Sequence, residues 1–226
     1  MAGIDTLDRT TSSDLVFDEL FARITRLDLL PGTKMSESET AKSYGCSLHP
    51  VLEAFSRLAN LNLLLIRPQR ATVVRPFSRK LIANARFVRS SVELEVLRAA
   101  TLNRDEGVDA KLKANLREQS SAISAEDAAA FHELDYEFHR LLCVSAQHEF
   151  AFDIIAENKA QVDRLCMLSL TSKKAMETLY LDHQKLLEAL FQGELNAADK
   201  TLRIHLDRLT PTIEAIYTTH QAYFDD

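Results

Sequence analysis

SESETAKSYGCSLHPVLEAFSRLANLNLLLIRPQRATVVR, residues 36–75, is the stretch whose reading decides the fold of the N-terminal third. Ser36 and Glu39 have capping-box spacing and open a short helix. Gly45 ends that helix in a tight turn, and Ser47 is placed to cap a further helix reaching about Leu61. Two β-prone runs follow, Leu63 to Arg67 and Thr72 to Arg75, joined by Pro68-Gln69-Arg70-Ala71. Upstream, Leu15, Leu20, Phe21, Ile24 and Leu27 recur at helical spacing from Ser13 until Pro31-Gly32 breaks the pattern. Helix, helix, tight turn, helix, hairpin is the layout of a winged helix-turn-helix. Residues 1–10 are polar, and fraying is expected there.

Downstream of Ser78 every segment has a helical period. The expected helices lie near 79–103, 107–122, 125–145, 148–169, 172–192 and 195–221, with Gly193 separating the last two. Helices joined by such short turns pack as an antiparallel bundle. The expectation is a mainly α protein of two domains: a winged helix-turn-helix over 1–77 and an antiparallel all-helical bundle over 78–226.

Composition agrees with that division. In 226 residues there are five glycines, five prolines and no tryptophan, too few turn formers for a loop-rich β fold. The net charge of −6 excludes polyanion binding by bulk electrostatics. Residues 1–78 nevertheless hold nine basic and nine acidic groups, so all the excess acid lies beyond them, and a nucleic-acid contact belongs at the N-terminal end. Cys46, Cys143 and Cys166 are scattered and form no C-x-x-C pair, as suits reduced, buried thiols of a cytoplasmic protein. No signal-peptide core or membrane-length apolar run is present.

Four polar residues on or beside apolar helix stripes need an explanation: Asp135, His139, His183 and His205. Asp135 and His139 are an i,i+4 pair on one helix face. His183 sits among Leu179, Leu186, Leu187 and Leu190, and His205 beside Leu202 and Leu209. Leaving such groups buried and unpaired costs roughly 2 kcal/mol or more each. One reading is that each is a satisfied core residue; the other is that three imidazoles and a carboxylate converge on a divalent transition metal such as Zn, Ni, Mn, Fe or Co. Arg89 flanks the Leu81, Ala85, Val88, Val92, Val96 stripe, placed either to grip a carboxylate ligand or to pair with Glu93. Arg164 and Tyr136 are further pocket candidates, whereas His49, His132, His148 and His220 are expected to face solvent.

These motifs together resemble the GntR superfamily of bacterial transcription regulators, in its FadR-type branch with an FCD ligand-binding domain. The resemblance covers nearly the whole chain. It rests on Leu30-Pro31-Gly32-Thr33-Lys34-Met35-Ser36-Glu37, on Ser47 with Pro50-Val51 and Glu53-Ala54, and on Arg67-Pro68-Gln69-Arg70 in the wing. In the second half it rests on Arg89 with Glu93, Asp135 with His139, Asp182-His183, and Arg203-Ile204-His205-Leu206. It implies a homodimeric regulator of operator DNA, repressor or activator, and not an enzyme. It also implies a metal at Asp135, His139, His183 and His205, and a small carboxylate effector touching the metal and Arg89.

The head departs from the family's pattern. Leucine stands at Leu48 and Leu52 where the family has arginine in the recognition helix, Ser38 replaces another arginine, and Ala71 replaces a wing glycine. The remaining DNA-facing candidates are Lys34, Ser47, His49, Glu53, Arg57, Arg70 and Arg75, with Lys42 and Ser56 beside them. If exposed, Leu48 and Leu52 form an apolar patch suited to thymine methyls or to a protein partner. Two alternatives therefore stand beside the regulator: a metal- or ligand-binding module that has lost DNA recognition, and a metal-dependent hydrolase.

Overall fold

The computed structural model describes residues 11–169 and 172–225, without the side chains of 159–161, 163 and 166–169. The expected fraying of residues 1–10 and the thiol of Cys166 therefore lie outside the described residues. The chain divides at Phe77–Ser78 into two compact units.

The first unit holds α1 (Ser12–Thr25), β1 (Lys34–Met35), α2 (Glu37–Tyr44), α3 (Leu48–Asn60), β2 (Leu64–Leu65) and β3 (Thr72–Val74). A capping box starts α1: the Thr11 hydroxyl accepts from the Asp14 amide, and the Asp14 carboxylate accepts from the Thr11 amide. The buried side of α1 is Val16, Leu20 and Ile24, set against Val51, Ala54, Phe55 and Leu58 of α3. Leu15, expected inside, is 59% exposed, because the burying stripe runs one residue further along through Val16. Gly45 ends α2 at φ +62°, the left-handed conformation that glycine adopts without steric cost. Ser47 is the N-cap of α3, yet its side chain makes no capping bond. β1 is a strand the residue pattern does not reveal. It pairs with β3, giving the antiparallel order β1-β3-β2, with Lys34 opposite Val73 on the outer strand.

The second unit is helical: α4 (Arg79–Asn103), α5 (Asp109–Ser124), α6 (Ala128–Ser145), α7 (Phe150–Ser169), α8 (Lys173–Gln192), α9 (Leu195–Asp207) and α10 (Leu209–Thr219). α4 packs along α7 and α9, α5 along α6 and α8, and α8 along α9. Their shared core includes Leu97, Ala100, Leu112, Phe138, Leu186, Leu190, Ala198 and Leu202. The single helix expected over 195–221 is two, broken at Arg208. Pro211 accounts for the break: it has no amide to donate to Asp207, and its ring collides with that carbonyl in a continuous helix. The break leaves Arg208 at a junction, where its guanidinium reaches back to α8 and donates from Nε and Nη2 to the Asp182 carboxylate.

Candidate metal centre

Asp135 and His139 are one turn apart on α6, His183 is midway along α8, and His205 is in the last turn of α9. All four are buried. One ligand atom from each lies within 4.8 Å of the others. His139 Nε2 is 3.2 Å from His205 Nε2, and Asp135 Oδ1 is 3.5 Å from His183 Nε2 and 3.9 Å from His139 Nε2. The His183 ring is held by stacking on Phe138, centroids 4.2 Å apart.

The outer nitrogens fix which way the inner ones point. Asn115 Nδ2 donates to the Leu134 carbonyl, which can only accept. The Asn115 oxygen then accepts from Gln119 Nε2, turning the Gln119 oxygen toward His183 Nδ1 at 2.9 Å. His183 must therefore carry its proton on Nδ1 and present a lone pair at Nε2. Glu93 Oε2 lies 2.8 Å from His139 Nδ1, a facing carboxylate that favours a proton there, whereas Asp182 Oδ2, 3.8 Å from His205 Nδ1, is beyond hydrogen-bond reach and acts on that ring by charge. Burial pushes the Glu93 and Asp182 carboxyls up, but the guanidiniums of Arg89 and Arg208 and the facing imidazoles outweigh it, holding both well below the usual carboxylate range. Both stay ionised and accept. Burial lowers His183 and His205, keeping these imidazoles neutral.

The result is a concentration of electron pairs. Three Nε2 atoms and a carboxylate converge, and His183 Nε2 has no hydrogen-bond partner among the described residues. His139 Nε2 and His205 Nε2, 3.2 Å apart, share a hydrogen bond if one carries a proton and repel if both present lone pairs, a repulsion that a positive centre between them relieves. Arg89 Nη2, 3.3 Å from His139 Nε2, supplies part of that charge from one side. The donor set, three imidazole nitrogens and one carboxylate oxygen, fits a divalent transition metal. Cys143 is not part of it, and burial pushes its thiol up to about 12.

A cavity of about 310 Å³ adjoins the cluster. Asp135 and His205 form part of its wall, together with Arg86, Arg89, Arg208 and His132. Arg86 donates to Asp207 at 2.9 Å and to the Thr210 hydroxyl at 2.7 Å, and Arg89 is paired with Glu93. His132, expected to face solvent, instead lines this cavity, half-buried on the α6 turn before Asp135. Arg164 and Tyr136 are not among the described residues of its wall. Arg164 is fully buried, which lowers its guanidinium to about 10, and Tyr136 packs edge-on against Phe152. Arg86 and Gln119 were not singled out from the sequence. Arg86 lies three residues before Arg89 on α4, a spacing that places both on one face, whereas nothing local marks Gln119.

In the first unit the DNA-facing candidates divide. Lys34, Ser47, His49, Glu53 and Arg70 are exposed, and Arg75 is half-buried. Arg57 is occupied inside the unit: it donates to Asp14 at 2.8 Å and lies 3.9 Å over the Phe17 ring.

A winged helix-turn-helix followed by an all-helical unit is the architecture of a class of transcription regulators. Residues 12–74 match the family of bacterial regulatory proteins called gntR, and residues 85–208 match the FCD domain. The HTH-type transcriptional repressor RspR of Escherichia coli (strain K12) is 32% identical over 209 residues, covering 90% of this chain and 92% of that protein. A probable D-xylose utilization operon transcriptional repressor of Paenarthrobacter nicotinovorans is 27% identical, covering 91% and 90%. The solved structure of E. coli McbR/YncC shares the fold at TM-score 0.78 and 18% identity, covering 92% of this chain and 99% of that one. The chain belongs to the GntR family, in the branch that carries an FCD domain, and is a transcription regulator. The family is one of regulators, not enzymes, which removes the metal-dependent hydrolase reading.

Proposed function

We propose that this regulator is a homodimeric, cytoplasmic repressor whose helical domain, 78–226, holds a divalent transition metal and a small carboxylate effector, and whose head, 1–77, binds operator DNA. The observation that carries the reading is the inward convergence of three Nε2 atoms and the Asp135 carboxylate, with Gln119 orienting His183 and a carboxylate facing the outer nitrogen of each of the other two imidazoles. Asp135, His139, His183 and His205 would hold the ion, and Zn, Ni, Mn, Fe and Co all suit the donors. The ion supplies Lewis-acid attraction for a carboxylate. Arg89 and Arg86 supply guanidiniums in the same cavity wall, which favours a small anionic ligand.

On the head, Lys34, Ser47, His49, Glu53 and Arg70 are the DNA-facing set, with Arg75 beside them. Repression is the activity in the names of two relatives and is carried over on that ground. Among the described residues no helix is long and apolar enough to cross a membrane. α4 begins directly after the wing in sequence and carries Arg86, Arg89 and Glu93. An effector that prefers one arrangement of α4 would therefore bias the spacing of the heads, by its differential affinity and no more. The test is operator affinity, for a duplex selected with the full chain, measured with and without candidate hydroxy and sugar acids in the presence of metal. A shift lost in Arg89→Ala supports the reading; equal affinities for every acid remove it. If instead no duplex is bound above generic, salt-insensitive background, the head is a module that has lost DNA recognition.

A further inference from the structure

We propose that Leu48 and Leu52 are specificity-determining residues that read thymine methyl groups in the major groove, in place of the guanine contacts a cationic recognition helix makes. The proposal rests on the reading of the head as a DNA binder.

Leu48 and Leu52 lie in the first half of α3, the second helix of the helix-turn-helix, and are 47% and 48% exposed. The face they share is continuous: Ser47, Leu48, His49, Leu52, Glu53 and Ser56 are all exposed. It carries no lysine or arginine, and Glu53 is its one carboxylate. The sole arginine of α3, Arg57, is turned away onto Asp14 and Phe17. No side chain of this face can therefore make the bidentate cationic contact to guanine O6 and N7.

The exposed cations stand on the flanking elements instead: Lys34 on β1, Lys42 on α2, and Arg67 and Arg70 in the loop between β2 and β3. An apolar centre with a cationic surround complements a duplex groove, where phosphates form the rims and the thymine C5-methyl is the one apolar group on a base edge. A protein interface also pairs an apolar centre with a polar rim; what favours a duplex is the place of this pair near the start of the second helix of a helix-turn-helix. Spacing sharpens the assignment. Residues four apart on a helix have Cβ atoms about 6 Å apart, which spans about two base steps of 3.4 Å. The thymines read by the pair lie within two steps of each other. Glu53, one residue beyond Leu52, is placed to accept from a cytosine amino group beside them.

The experiment selects duplexes from a random library with the full-length protein, then replaces each thymine of the selected half-site by deoxyuridine, which lacks only the methyl. The expected result is a loss of about threefold to fivefold in affinity at two thymines within two steps, the scale of one buried methyl. Leu48→Ala and Leu52→Ala should each abolish the sensitivity at one of them while leaving circular dichroism and the salt slope unchanged, since both side chains are half outside the core. Selected duplexes whose affinity is indifferent to every deoxyuridine replacement would overturn this inference and leave the DNA-binding reading intact. Failure to enrich any duplex, with Leu52→Ala instead abolishing capture of a protein, would overturn both.

Discussion

Gln119 has the least conspicuous side chain at the centre and the most consequential hydrogen bond. It is neutral and fully buried, and its orientation is dictated two bonds away by the Leu134 carbonyl. Replacing it by leucine keeps the volume, frees His183 Nδ1 and lets the imidazole choose the wrong tautomer. Gln119→Leu is expected to lower affinity for added Zn or Ni by about 10- to 100-fold with little change in helicity, measured by competition with a chromophoric chelator. The imidazoles also set a pH dependence. His183 and His205 are lowered from 6.5 by burial, so the unfolded chain takes up protons near that pH while the folded one does not. Their contribution to stability is present above pH 6.5 and is lost as pH falls below it. With metal chelated, the thermal midpoint should drop between pH 7 and pH 5. A flat profile would mean the two imidazoles titrate alike in the folded and unfolded chain, and a midpoint that rises toward pH 5 would mean they are charged and paired in the fold. The four central residues were legible in sequence because polar groups on apolar stripes demand a partner. Gln119 was not, because a glutamine in a helix is unremarkable until its neighbour across the bundle is known.

At the scale of elements, the break between α9 and α10 decides more than its single residue of length implies. It delivers Arg208 to Asp182, which in turn backs His205. Arg208→Ala leaves a nearly buried carboxylate without its main partner. Arg208 is itself partly exposed, so screening and water limit the cost to about 1–2 kcal/mol, readable by urea denaturation. Loss of metal affinity should accompany it, since the carboxylate that faces His205 is no longer held in place. The signal for the break, Pro211, was present in the sequence, but the apolar period continues through it and masked the interruption. The outer strand β1 was equally hidden. Two residues carry no alternation, and Lys34–Met35 becomes a strand only because β3 offers it an unpaired edge. The turn at Gly45 was legible, since a left-handed residue between two helices leaves glycine as the default. Gly45→Ala should destabilise the head by about 1 kcal/mol without altering metal affinity.

At the scale of the molecule, acid and base are distributed by task. The helical unit concentrates buried carboxylates behind imidazoles and arginines around a cavity, and the head keeps exposed cations beside an apolar recognition face. The division into a head and a helical body could be read from the change in period near Ser78. The convergence of α6, α8 and α9 was expected from unpaired polar residues and from the family resemblance, not from any local pattern, because the meeting of three helices is a property of their packing. The central claim is that those helices carry a cation between them, and X-ray absorption on Zn-loaded full-length protein tests it most directly. The account predicts one zinc per chain, scattering from three imidazole nitrogens and at least one oxygen at about 2.0–2.2 Å, and loss of that signature in His183→Ala. A sulfur shell, or the same spectrum from His183→Ala, would contradict it.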